Sequence, residues 1–262
     1  MSHVELSIEN AVAKVTLNRP DVHNAFNEEV ISSLIECFET VENDDNIRVM
    51  VLQASGKSFS AGADLNWMQK MASYSETENL ADAQQLALML SKLYHLSKPT
   101  IAKVQGSAFG GAVGLVACCD IAIASLMSKF CLSEVKLGLI PATISPYVVQ
   151  AVGPRMAKRL FMTAEVISAR RARRIGLVDE TVSENELNSA VESIISGLLK
   201  NGPQAVSMAK ALVDKVAFKP IDDALIQYTC KQIASVRVSE EGQEGLTAFL
   251  EKRKAYWINT HD

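Results

Sequence analysis

The 262-residue chain has no apolar run long enough to cross a membrane, which needs about 20 residues. Its longest, around Val113 to Ala124, is interrupted by Asp120 and reads as buried core. Cysteine pairs are missing too: Cys37, Cys118, Cys119, Cys131 and Cys230 include no C-x-x-C, and Cys118-Cys119 sit together in an apolar run. Cys118 and Cys119 read as small core residues in a reducing compartment, not as part of a disulfide framework. His3, His23, His95 and His261 show no metal-ligand spacing, so no metal is expected. Aromatic residues are sparse at 6%, no aromatic–basic platform occurs, and net charge is −4. The sequence therefore carries no general nucleic-acid footprint. The one dense basic cluster, Arg170-Arg-Ala-Arg-Arg174, reads as a solvated helix face. Met1-Ser-His-Val-Glu-Leu leads straight into strand-like alternation, so no signal or transit peptide is expected, and the chain reads as cytoplasmic or as a mature form whose targeting segment is absent.

What is present is an ordinary soluble composition, 48% hydrophobic and 21% charged, with enough length for one large domain or one domain plus an appendage. Val4 to Ile8 and Ala13 to Leu17 alternate as strands around Glu9-Asn10, the pattern of a hairpin. Asn27 precedes a helix whose apolar face is Val30, Ile31, Leu34, Ile35, Phe38 and Val41. Strands at 48–54, 100–105, 120–124 and 130–132 alternate with helices at 76–96 and from about Ala112. This order predicts an α/β core with crossover connections. From about Gly153 the pattern turns helical: 155–162, 168–175, 183–199, 203–216, 221–238 and 240–257, interrupted by one strand at 177–182. Ser183-Glu-Asn-Glu186 fits a capping box, and Gly202-Pro203 separates two helices.

Two glycine-rich runs stand at strand exits. Val49 to Ala54 leads through Gly56 to Phe59-Ser-Ala-Gly-Ala-Asp-Leu65, which should open a helix. Thr100 to Gln105 leads into Gly106-Ser-Ala-Phe-Gly-Gly111 and a second helix. Neither has the spacing of a dinucleotide fingerprint or a phosphate loop. Each is expected to present unpaired helix N-terminal amides, and two such ends facing one oxygen make an oxyanion hole. A carboxylate nearby, for which Glu134 stands downstream, would complete a site for chemistry alpha to a carbonyl. Either run by itself also fits a tight turn with close helix–strand packing.

Taken with their neighbours, the runs resemble the crotonase, or enoyl-CoA hydratase/isomerase, superfamily. The matching residues are Leu17-Asn-Arg-Pro20 with Asn24-Ala25, Phe59 to Asp64, Lys98-Pro99, Gly106 to Gly111, Cys119-Asp120, and Phe130-Cys-Leu-Ser-Glu134 with Gly138. Thr163-Ala-Glu165, Ala169 through Gly176-Leu-Val178, and Phe249-Leu-Glu-Lys-Arg253 continue the match in family order. The resemblance implies a crotonase-like α/β fold of repeated β-β-α units, residues 1–200 forming the core with the thioester site. Residues 201–262 would form a helical region for oligomerisation and a lid, in trimers that often pair into hexamers. It implies that the amides of Ala63 and Gly111 hold the oxygen of an acyl-CoA thioester, with Glu134 as the catalytic acid/base. Ala61, Ala63, Asp64, Leu65, Gly110 and Gly111 would bind the substrate, coenzyme A being part of that substrate and not a separate cofactor. Lys252 and Lys254 are candidates for the CoA phosphates; a solvated helix face explains them as well.

One departure bears on the reaction. Two-glutamate hydratases of the family carry an earlier carboxylate at the position that is Gly114 here, and the glycine-rich loop expected after Ile140-Pro141 is Ala142-Thr-Ile-Ser-Pro146. Thr143 and Ser145 could hold water there, although turn chemistry explains both. Gly62-Ala-Asp-Leu-Asn-Trp-Met68, Gly114-Leu-Val-Ala-Cys-Cys-Asp120 and Ile144-Ser-Pro146 resemble bacterial methylglutaconyl-CoA hydratase-type enzymes of leucine breakdown. The expected function is thus hydration of a 2-enoyl-CoA by a lyase of acyl-CoA metabolism. Double-bond isomerisation through Glu134 alone is the second reading, and a non-catalytic acyl-CoA-binding or RNA-associated protein the third.

Overall fold

The structure, a computed structural model, describes residues 2–258; Met1 and residues 259–262, His261 among them, lie outside the described residues. Strands β1 (Val4–Glu9) and β2 (Val12–Leu17) form the expected antiparallel hairpin. Its turn places Asn10 and Ala11 in the left-handed region, which Asn tolerates well. Helix α1 (Glu28–Asn43) starts where Asn27 accepts the Val30 N–H, and β3 (Val49–Ala54) then pairs parallel to β2. After α2 (Leu65–Met71) and α3 (Glu76–Tyr94) come β4 (Thr100–Val104), β5 (Ala108–Phe109), α4 (Gly111–Cys118), β6 (Ile121–Ser125) and β7 (Lys129–Cys131). Then follow α5 (Ser145–Thr163), β8 (Ile167–Ser168), α6 (Ala169–Arg174), β9 (Glu180–Val182), α7 (Leu187–Leu199), α8 (Pro203–Val216), α9 (Asp223–Val238) and α10 (Glu240–Leu250).

A six-stranded sheet runs β1-β2-β3-β4-β6-β9, parallel throughout except for the β1–β2 hairpin. Strand alternation sends its residues to two cores. Met50 and Leu52 of β3 face the main core with α1, α3 and α4; Val49 and Val51 face α7. Helix α7 meets them with Leu187, Val191 and Ile195, spaced four apart on one stripe, each burial contributing about 2 kcal/mol. A second, three-stranded sheet, β5-β7-β8, lies where the glycine-rich run at 106–111 and the chain leading to Glu134 meet.

Several sequence expectations shift. The helix expected over 155–162 is present, following a full break at Gly153 (φ 75°, ψ 157°) and Pro154; what the sequence pattern missed is the helical stretch before that break, from Ser145, where Pro146 fits a first turn. The helix expected to reach residue 257 ends at Leu250, because Lys252 adopts φ 56° and Arg253 N–H turns back to the Ala248 carbonyl. β8 is a strand the helical pattern hid, and the strand expected at 177–182 shortens to 180–182. The capping box at Ser183 and Glu186 is present, ahead of a short 3-10 turn that leads into α7.

The C-terminal helices attach through a few defined contacts. Arg48 donates to the carbonyls of Leu199, Asn201 and Trp257. Glu241, 5% exposed, accepts the N–H groups of Gln204 and Ala205 at the start of α8. Neither α8 nor α9 has a buried residue, and Val213, Phe218, Ile221 and Phe249 are exposed. All five cysteines are free; Cys118 is buried and Cys119 partly buried, as expected of the adjacent pair, while Cys131 is buried and Cys230 on α9 is exposed. Of the basic cluster, Arg170, Arg173 and Arg174 are exposed, as expected of a solvated face, while half-buried Arg171 pairs with Glu165 and Arg173 also donates to the Asp179 carbonyl. No helix among the described residues is long and apolar enough to cross a membrane.

Candidate active site

The segment Ser60–Asp64, bent at Gly62 (φ 93°), runs between two neighbours. On one edge Phe26 forms a parallel bridge with Ala63: Phe26 N–H donates to the Gly62 carbonyl and Asp64 N–H to the Phe26 carbonyl, each at 2.7 Å. On the other edge Ser60 bridges Ala108, Ser60 N–H donating to Ser107 and Phe109 N–H to Ser60. In a parallel bridge the paired residue's own N–H faces away from its partner. The Ala63 amide therefore points away from Phe26, toward the side of Phe109 and Gly110. Sequence reasoning expected a helix-terminal amide here; the structure makes it a strand-edge amide, because α2 begins later, with Asp64 as its cap.

Asp64 is 6% exposed, and its side chain turns inward. It accepts the Asn66 N–H at 2.9 Å and pairs with Arg19 at 3.0 Å. Burial alone would raise its carboxyl, but these donors outweigh it and hold the group below its ordinary value. Arg19 also donates to the Ala25 carbonyl, and the Asn24 amide donates to the carbonyls of Ser55 and Ser58. Ala61, Ala63 and Leu65, by contrast, are exposed. The segment offers surface and free backbone while its charged side chain serves the scaffold.

The second run approaches from β5. Gly106 passes so near Lys57 that a Cβ on it would lie 2.9 Å from the Lys57 carbonyl carbon and 3.0 Å from Ser58 Cα. Gly110 (φ 55°, ψ −126°) turns the chain and donates its N–H to Cys131 at 2.8 Å. Gly111 then opens α4, one residue earlier than the sequence suggested, and its N–H is the first amide of that helix. Neither the Ala63 nor the Gly111 N–H donates to a protein acceptor among the described residues.

Glu134 closes the arrangement. It starts a 3-10 turn, Glu134–Leu137, just past β7. A Cβ placed on Gly110 would lie 3.4 Å from Glu134 Oε1 and 3.9 Å from Gly62 Cα, so both glycine runs and the carboxylate converge there. Glu134 Oε2 is buried without a hydrogen-bond partner among the described residues, and burial pushes the carboxyl up, against a smaller opposing effect of its own N–H. A desolvated, unpartnered carboxylate beside free amides is a candidate proton-transfer group.

The sequence profile described as Enoyl-CoA hydratase/isomerase matches residues 7–260. The chain belongs to this family. It is similar to the crotonyl-CoA hydratase of Syntrophomonas wolfei, 35% identical with 98% of both chains covered. It is also similar to the short-chain-enoyl-CoA hydratase of Clostridium acetobutylicum, 34% identical with 97% of both chains covered. Among solved structures, an enoyl-CoA hydratase from Shewanella pealeana superposes with a TM-score of 0.94 at 46% identity, covering 97% of this chain and 96% of the other. The mixed α/β fold with its C-terminal helices is the crotonase fold of such neighbours.

Gly114 stands where the resemblance to two-glutamate hydratases placed an earlier carboxylate. A Cβ there would lie 2.8 Å from Ile144 Cβ, closer still to its Cγ2, and 3.4 Å from Leu90 Cδ2. Ile144 thus fills the room an earlier carboxylate would need. Ser145 spends its hydroxyl on the Ala142 carbonyl at 2.7 Å, which is turn chemistry, and Thr143 is half-buried in the same turn. Lys252 and Lys254 follow α10 on an exposed segment. Other motif residues prove architectural. Lys98 donates to the carbonyls of Val41, Glu42 and Asp44 at the end of α1, and Asp120 accepts from Thr100 and Lys210. The scaffold role of Arg19, Asn24 and Asp64 was missed by sequence reasoning; an arginine and an aspartate 45 positions apart give no local sign of pairing.

Proposed function

We propose that the protein is an enoyl-CoA hydratase, a lyase that adds water across the double bond of a 2-enoyl-CoA. The observation that carries this reading is the buried, unpartnered Glu134 Oε2 beside Gly110, next to two amides without acceptors. The thioester oxygen would rest on the Ala63 and Gly111 N–H groups, with the Gly111 amide adding the positive end of α4. Glu134 takes a proton from water as the water oxygen bonds to the β-carbon. The double-bond electrons move onto the thioester oxygen, where the two amides meet the growing charge. As that enolate collapses, the α-carbon takes the proton back from Glu134, so water adds with no net change at the carboxylate. The pantetheine arm would follow exposed Ala61, Ala63 and Leu65.

A branched acyl group such as methylglutaconyl is the finer substrate reading, supported by the sequence resemblance at residues 62–68 and 114–120. Assembly into trimers or hexamers is supported by the exposed apolar side chains on α8 to α10, and light scattering measures it. Isomerisation is the second reading, favoured by the filled space over Gly114, since shifting a double bond needs one base alone. Absorbance of the conjugated enoyl group tests the reaction. Loss with crotonyl-CoA or methylglutaconyl-CoA is the expected result. Growth from a 3-enoyl-CoA without loss from either 2-enoyl substrate would make the protein an isomerase, and no change despite acyl-CoA binding would make it non-catalytic.

A further inference from the structure

We propose that Ile144, seated against Gly114, is the end wall of the acyl pocket and restricts this protein to short acyl chains; this rests on the site reading above. Gly114 lies one turn past Gly111 on α4, hence on the same face of the helix. Side chains on a helix lean toward its N-terminus, so the room over Gly114 adjoins the turn that presents the Gly111 amide. An acyl group whose carbonyl rests on that amide sends its carbons into this neighbourhood. There it meets Ile144, 2% exposed, backed by Leu90 at 0%. The packing leaves no room for even one added carbon on Gly114.

The wall is rigid for a local reason. Ile144 immediately precedes α5, its carbonyl accepts the Val148 N–H at 3.1 Å, and Pro146 fixes the first turn. The same helix packs on the 3-10 turn that carries Glu134. The wall and the proton-transfer group therefore share one scaffold, so chain length is measured from the reacting carbons.

The test compares kcat/KM for crotonyl-CoA and 2-decenoyl-CoA in the wild type, Ile144→Ala and Ile144→Val. Competitive binding of butyryl-CoA and decanoyl-CoA is measured alongside. The wild type is expected to favour the short substrate at least about tenfold, the discrimination a filled apolar pocket supplies for a methylene or two. Ile144→Ala should shift that ratio about tenfold or more toward the long chain, and Ile144→Val in the same direction by less. If the alanine variant does not fold, the valine variant decides. Equal wild-type handling of both lengths, or folded variants with an unchanged ratio, would overturn the wall while leaving hydration intact. Absence of hydration with every substrate would overturn the reaction instead, and the saturated acyl-CoA competition would still read the wall.

Discussion

The two glycine-rich runs reach the same place by different means. Ser60–Asp64 adds side chains from elsewhere to its backbone bridges with Phe26 and Ala108: Asn24 ties down the Ser55 and Ser58 carbonyls that lead to it, and Arg19 grips Asp64. Gly106–Gly111 is held by backbone: Gly106 packs on Lys57, and Gly110 donates to Cys131. Each leaves one amide, at Ala63 and at Gly111, without a protein acceptor among the described residues. A free amide can therefore be kept in place by a remote charged clamp or by excluding side chains. The two solutions should fail under different substitutions.

The largest difference is expected at the amides. Gly111→Pro deletes the second run's donor and leaves the first run's clamp untouched. It should lower kcat for enoyl-CoA hydration about 100- to 1000-fold, the worth of one oxyanion donor. Steady-state kinetics on variant whose circular dichroism matches the wild type checks this; full activity would mean the second run holds no oxygen. Gly106→Ala probes the backbone support. The added carbon would press on Lys57 and Ser58, costing about 3 kcal/mol, the upper part of the overpacking range, measured by urea unfolding. Asp64→Asn probes the side-chain support and should cost about 1.5 kcal/mol, because the cap can survive while the charge facing Arg19 is lost.

The Asp64 variant also has a pH signature. The wild-type carboxyl is held below its unfolded value, so its stabilisation is present above the usual carboxylate pKa of about 4 and is lost as pH falls through the folded value. The gap in unfolding free energy between wild type and Asp64→Asn should therefore close on acidification. A gap that stays constant would place the stabilisation in packing instead of charge.

Much of this was legible in the chain, for identifiable reasons. Hairpin, α1 and β3 follow from strict periodicity and from Asn27, whose capping bond is local. Glu134 was found because it follows the second run in family order, and the glycines announce backbone approach. Three things were hidden. The Ala63 amide owes its direction to a bridge with Phe26, a contact between distant segments that no window of sequence contains. The first stretch of α5, from Ser145 to the break at Gly153, hid behind Ser145-Pro146, which reads as turn chemistry and also opens a helix. Gly114 read as a missing carboxylate; only packing reveals that Ile144 occupies the space.

Glu134→Gln tests the central claim most directly, because both runs converge on this carboxylate. Burial raises the Glu134 carboxyl above its unfolded value, so its ionisation costs stability as pH rises past that unfolded value toward the folded one. The glutamine variant should thus be at least as stable as the wild type at neutral pH and still bind acyl-CoA. Its kcat should fall about 100- to 10,000-fold, the range for a lost proton-transfer group. A folded Glu134→Gln protein that hydrates crotonyl-CoA at the wild-type rate would contradict the account.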